Sequence, residues 1–135
     1  MQKKGKLSEQ DAALIKSACD HAKKQYKHGL TTIGAALRAK NGKIYTGINL
    51  KYRVRNTSMC AEMLAIYKAL DEGETEFDTM VAAKYFPETN SFEVVNGCGK
   101  CRQLYCQNAP LNIIVDNNGA LEIRTAEELM PLAFL

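Results

Sequence analysis

Apolar and polar positions along this chain switch between a helical and a strand period, and the switches mark out the elements. Ser8 with Asp11 three residues on reads as an N-terminal helix cap. Ala12, Ala13, Ile15, Ala18, Cys19 and Ala22 then recur at helical spacing towards a stop at Gly29, which places His21 and His28 in that helix. Residues 31–38 start β-rich and run apolar through Ile33 and Leu37. Asn41-Gly42 is a strong hairpin-turn signal, and residues 43–49 return as the partner strand. A second helix is expected over 60–70, carried by Leu64, Ile66, Ala69 and Leu70 and ended by Gly73. Residues 79–86 read as a buried strand closed by Pro87. Asn96-Gly97 turns into a third helix over 98–107, stopped before Pro110. Residues 112–115 form a short apolar strand, 116–119 a turn, and 121–124 a last strand, before Thr125 caps a final turn through Glu127 and Leu129. Strands alternating with helices argue for a single three-layer α/β domain over residues 1–135.

Composition adds mainly exclusions. The formal charge of +3, from 18 basic and 15 acidic residues, is too mild for a nucleic-acid surface. The N-terminal Met1-Gln2-Lys3-Lys4-Gly5-Lys6 has no apolar segment behind it, so no signal peptide is expected. No apolar run approaches the roughly 20 residues a membrane span needs. A soluble cytoplasmic protein without a membrane or nucleic-acid partner is expected. Five cysteines in such a protein favour metal or catalytic use over a disulfide framework.

Two stretches carry the chemistry: Cys60-Ala61-Glu62 and Cys98-Gly99-Lys100-Cys101. Cys98 and Cys101 are three apart, about 60° from each other on a helix, and can share one ion. Cys106 lies about 140° further round and points elsewhere. Cys19 and Cys106 read as small buried apolar residues. Structural zinc takes four protein ligands, whereas catalytic zinc keeps one position for water. Three cysteines leave that position open, and Glu62 is placed to handle the water's protons. Both half-motifs fall at expected helix N-termini, whose positive ends lower thiolate pKa and offset the excess negative charge of three thiolates; Lys100 and Arg102 can add to this. Glu62 is two residues from Cys60, so the ion must sit over the helix end rather than beside its flank. A structural zinc knot needs a fourth ligand that neither His21 nor His28 is obviously placed to supply. A redox Cys-x-x-Cys leaves Cys60-Ala61-Glu62 unexplained.

These motifs, with Ile33-Gly34-Ala35-Ala36-Leu37, Tyr45-Thr46-Gly47-Ile48-Asn49, Cys98 to Gln103 and Glu127-Glu128-Leu129-Met130-Pro131, resemble the cytidine deaminase family. The resemblance implies a central mixed β-sheet of about five strands flanked by helices, and a homotetramer whose active sites are completed by neighbouring subunits. It implies Zn2+ held by Cys60, Cys98 and Cys101, a proton shuttle at Glu62, a sugar contact from Asn49, and a pyrimidine carbonyl met by the Ala61 amide. Four positions depart from the pattern. Gly97 replaces the usual proline, a change expected in loop stiffness more than in chemistry. Lys51 stands where a sugar-binding glutamate is general, Met63 where an arginine often steadies the thiolates, and Thr31 where a base-stacking phenylalanine is common. The last three lean towards the blasticidin-S deaminases. Lys51, Arg53 and Arg55 read either as a solvated connection or as acceptors of a substrate carboxylate or phosphate. Phe134 reads as a ring stacking in a neighbour's site or as a core aromatic. The expected reaction is hydrolytic deamination of a free cytosine nucleoside or analogue, with a blasticidin-S-type antibiotic deaminase and a non-catalytic zinc-stapled interaction domain as the alternatives.

Overall fold

The computed structural model describes residues 6–135. Residues 1–5, most of the charged N-terminal run, lie outside it. Four α-helices and six strands follow in the order α1 (Glu9–Lys24), β1 (Ile33–Ala39), β2 (Ile44–Ile48), α2 (Ala61–Asp71), β3 (Phe77–Phe86), β4 (Ser91–Val95), α3 (Gly99–Gln107), β5 (Asn112–Asn117), β6 (Ala120–Thr125) and α4 (Ala126–Leu129). The strands form one mixed sheet in the order β2-β1-β3-β5-β6. Only β3 and β5 run parallel, and β4 pairs with the C-terminal half of β3, Ala82 to Phe86. The expected α/β architecture with a mixed sheet is therefore present, with six strands rather than about five. The additional strand, β4, falls where the sequence reading placed only a connection.

Alternation along the strands divides the core in two. Ala36, Val81, Ala83, Ile114 and Ile123 face α1. Ala35, Leu37, Met80, Ile113 and Val115 face the layer of α2, α3 and α4. The second layer carries all the candidate chemistry.

Helix α1 opens with the expected capping box, Ser8 Oγ accepting from Asp11 N and the Asp11 carboxylate accepting from Ser8 N. Its buried face is Asp11, Leu14, Ala18 and Ala22, while Ala12 and Ala13 are exposed. The stripe is thus rotated from the one expected, because Asp11 is a buried ion-pair partner as well as a cap. Arg38, buried in β1, donates to Asp11 Oδ1 at 3.0 Å, Asp78 Oδ2 at 3.0 Å, Thr79 Oγ1 at 3.2 Å and the Gln10 carbonyl at 3.1 Å. Burial alone raises the Asp11 pKa, but hydrogen bonds from Ser8 and Arg38 and the guanidinium charge outweigh it and hold the carboxyl below its ordinary value. The helix stops at Lys24, before Gly29, so His28 is not helical. Thr31 Oγ1 donates to the Gln25 carbonyl at 2.6 Å, and a Lys27–Thr31 bridge folds the chain back.

Candidate metal and active site

The two cysteine motifs meet because each sits at the start of a helix packed on the same face of the sheet. Cys60 is the N-cap of α2 with extended backbone (φ −72°, ψ 148°), so its thiol projects off the helix end rather than from its flank. Ala61 and Glu62 are then the first two helical residues. Cys98 caps α3 in the same way (φ −86°, ψ 175°), and Cys101 follows one turn into that helix. No side chain caps either N-terminus, leaving first-turn amides free for anionic sulfur.

Two features set the approach of these helix ends. Gly47 in β2 lies under α2 so closely that an added Cβ would stand 2.7 Å from Ala65 N and nearer still to Ala61 O. On the other side, Asn96 clamps the start of the α3 loop to β5, donating to the Asp116 carbonyl at 2.9 Å and accepting from Asp116 N at 2.8 Å. Neither residue was singled out for the site from sequence. Asn96-Gly97 read only as a turn, and a close approach between β2 and α2 leaves no local signal.

The Sγ atoms of Cys60, Cys98 and Cys101 lie within 4.8 Å of one another. Cys98 and Cys101 sulfurs are 3.8 Å apart. Two thiolates about 2.3 Å from a tetrahedral zinc are separated by about 3.8 Å, so the pair is already at ligand spacing. Among the described residues no His, Asp or Glu joins the three sulfurs as a fourth close ligand atom. His21 and His28 are not among the groups brought there, and all five cysteines are free thiols. Burial followed by the charges of Glu62 and Cys60 pushes the Cys101 thiol far up. Burial also raises Cys60, whereas Cys98 is lowered: burial opposes this, but the amides of Cys101 and Lys100 and the neighbouring thiols prevail. Three such sulfurs repel one another once ionised, and a divalent cation relieves that repulsion. The donor set therefore fits zinc.

These sulfurs line a cavity of about 510 Å³ that also takes in Glu62, Asn49, Lys51, Arg55 and Lys100. Glu62 is 5% exposed, and burial raises its carboxyl pKa, opposed only by a hydrogen bond from its own amide. Gly97 has φ +78°, a left-handed backbone, and a Cβ there would lie 3.4 Å from Glu62 Oε2 and 3.0 Å from the hydroxyl of buried Tyr105. Proline holds φ near −65°. The departure at Gly97 is thus a different backbone path, not only a softer loop, and it leaves room for Tyr105 beside Glu62.

Residues 8–116 match the model for the cytidine and deoxycytidylate deaminase zinc-binding region. The chain belongs to that family. It is 35% identical over 132 residues to a blasticidin-S deaminase of Bacillus cereus, covering 95% of this chain and 94% of that protein. It is 30% identical over 105 residues to a cytidine deaminase of Sporosarcina psychrophila, covering 76% and 74%. The cytidine deaminase structure from Burkholderia pseudomallei superposes with a TM-score of 0.76 at 27% identity, over 95% of this chain and all of the other. The protein is accordingly a zinc-dependent enzyme of the deaminase class.

The residues expected from sequence to meet substrate do not all converge. Asn49 reaches the cavity with its oxygen committed, accepting from Thr32 N and Ile33 N at 2.9 Å each, while its amide nitrogen donates to the Leu30 carbonyl at 3.4 Å and keeps one N–H to offer. Ala61 lines the cavity, and as the first residue of α2 its N–H has no intrahelical acceptor. Lys51 and Arg55 are at the mouth, whereas Arg53 is not among the lining residues. Phe134 is 85% exposed and outside the cavity, which corrects its reading as a core aromatic. Its backbone is tied to Gln103, Phe134 N donating to Gln103 Oε1 at 3.2 Å and Gln103 Nε2 to the Phe134 carbonyl. Cys106 is buried with its thiol towards the Ala126 carbonyl, while Cys19 is only half-buried. Arg102 does not line the cavity, and its buried Nε has no partner among the described residues.

Proposed function

We propose that this enzyme hydrolyses the exocyclic amine of a free cytosine nucleoside or nucleoside analogue, giving the uracil counterpart and ammonia. The observation that carries this is a buried carboxylate, Glu62, in one cavity with three convergent thiols. Cys60, Cys98 and Cys101 would hold the zinc, which when bound supplies the Lewis acidity that makes water a nucleophile at neutral pH.

Glu62 does the proton work. Its Oε atoms take a proton from the attacking water, deliver it to the ring nitrogen beside the reacting carbon, and carry a second to the departing amine, which leaves as ammonia. Burial favours the protonated carboxyl, which suits a group that must hold a proton between two transfers. The Ala61 N–H would orient the pyrimidine carbonyl, and the Asn49 amide nitrogen would donate to the sugar. Lys51 sits towards the sugar end, and Phe134, free on the surface beside Gln103, would reach a neighbouring subunit's site in a homotetramer. Three free thiols as ligands suit a reducing, cytoplasmic setting.

A blasticidin-S-type antibiotic is the second reading, favoured by the 35% identity over almost the whole chain to the Bacillus cereus enzyme. It keeps the same amine hydrolysis and the same residues. Loss of cytidine absorbance on conversion to uridine tests the reaction class, with blasticidin S run alongside. Glu62→Gln should keep zinc and fold and lower turnover by about 10²–10⁴-fold. An unimpaired variant would remove Glu62 from the mechanism.

A further inference from the structure

We propose that Tyr105 is a positioning residue for Glu62: its hydroxyl donates to the carboxylate from behind Gly97 and holds Oε2 towards the metal site. The inference rests on the deaminase reading for what Glu62 does and goes beyond it in naming the group that steadies Glu62. Three observations support it.

The first is placement. Tyr105 lies one turn after Cys101 on the same face of α3, and a long helical side chain leans back over the turn before its own Cα. The ring therefore points towards the start of the helix, where the left-handed backbone of Gly97 leaves space for it. The Cβ that Gly97 lacks marks a single point, 3.0 Å from the Tyr105 hydroxyl and 3.4 Å from Glu62 Oε2. A turn of the carboxylate about its last torsion, or one bridging water, joins two oxygens that meet at one point in this way. Gly97 lines the cavity and Tyr105 does not, so the hydroxyl reaches Glu62 from the protein side and leaves the substrate side open.

The second is complementarity. Tyr105 is 1% exposed and Glu62 is buried beside it. Among the described residues the Tyr105 side chain makes no hydrogen bond, and the Glu62 carboxylate receives one only from its own amide. Buried polar groups are hydrogen-bonded in the great majority of cases, and here a donor and an acceptor lacking side-chain partners face each other. The neighbouring cysteine sulfurs are weak acceptors, whereas a carboxylate is a strong one.

The third is the donor itself. A phenol is protonated at neutral pH, and burial keeps it so; it donates to Glu62 without competing for the proton that Glu62 carries. Phenylalanine would fill the same part of the core, so the hydroxyl is the portion of the side chain that packing leaves unexplained.

The test is Tyr105→Phe on the zinc-loaded enzyme. It is read by kinetics on whichever of cytidine and blasticidin S is turned over, by zinc affinity against a chelator, and by infrared spectroscopy. The Glu62 band is the carboxyl band that Glu62→Gln removes. In Tyr105→Phe kcat should fall about tenfold, the worth of one hydrogen bond to a charged group. KM and zinc affinity should be little changed, and the Glu62 band should move. An unchanged kcat would overturn the positioning role. A Glu62 band at its wild-type position would make Tyr105 a packing residue, as would a fall in kcat matched by loss of zinc. A moved band in an enzyme that turns over neither substrate would uphold the contact and overturn the deaminase reading; an unmoved band with normal turnover would do the reverse.

Discussion

Gly47→Ala probes the packing that places the catalytic helix. The added Cβ would stand 2.7 Å from Ala65 N, closer to Ala61 O, and 3.1 Å from Leu64 Cβ. Ordinary contact begins near 3.4 Å, so α2 must retreat by at least about 0.7 Å, the shortfall at Ala65 N, and further to clear the Ala61 carbonyl. That displacement falls on Ala61 and Glu62 and moves Cys60 with them. Overpacking of this kind costs about 1–3 kcal/mol, a fall in Tm of about 4 °C per kcal/mol for a domain of this size. Function should suffer more. Metal–ligand distances tolerate only about ±0.2 Å, and a misplacement of about 1 Å at a reacting group can cost 10²-fold in rate. Gly34→Ala is the matched control. Its Cβ would meet Ala18 O at 2.5 Å and Ala22 N at 2.6 Å, an equal clash with α1 on the opposite face of the sheet. Both variants should lose comparable stability by thermal unfolding. Gly47→Ala alone should lose zinc affinity by chelator competition and about 10²-fold in turnover per folded molecule. Wild-type zinc affinity and turnover in Gly47→Ala would refute the argument, as would equal losses of both in Gly34→Ala.

Two further outcomes are expected. Gly97→Ala should cost about 1–2 kcal/mol from its left-handed backbone, measured by thermal unfolding. Adding Tyr105→Phe should recover part of the loss by removing the hydroxyl 3.0 Å from the new Cβ; no recovery would show that the backbone alone is strained. Asp11→Asn should cost about 3 kcal/mol by leaving buried Arg38 with one carboxylate fewer. Because the folded Asp11 pKa lies below its ordinary value of 3.8, its contribution is complete above about pH 4 and is lost as pH falls through the folded value. The stability gap between wild type and Asp11→Asn should therefore be constant from about pH 7 to 5 and narrow below about pH 4. A gap that widens with acid would contradict the assignment.

How much of this was legible in the sequence depends on whether the signal is local. The capping boxes at Ser8 and Thr125, the Asn41-Gly42 turn and the two cysteine motifs are local, and each appears where its residues indicate. Strand β4 was missed because Ser91, Phe92 and Glu93 are exposed and Val94 and Val95 only half-buried, so it carries no apolar run. The stripe of α1 was misphased because Asp11 looks like a surface cap until Arg38, far along the chain, is brought against it. The site followed the same rule. Cys60, Glu62, Cys98 and Cys101 announce themselves by type and spacing, but Gly47 and Tyr105 matter through approaches that only the folded chain creates.

The central claim is one zinc held by three sulfurs from two helix ends, with a position left for a light atom beside Glu62. X-ray absorption at the zinc edge tests it most directly. Three sulfurs at about 2.3 Å and one oxygen or nitrogen at about 2.0 Å are predicted, with the sulfur count and the bound metal both lost in Cys98→Ala. A shell of four sulfurs, or a Cys98→Ala variant holding a full equivalent of zinc with an unchanged spectrum, would contradict it.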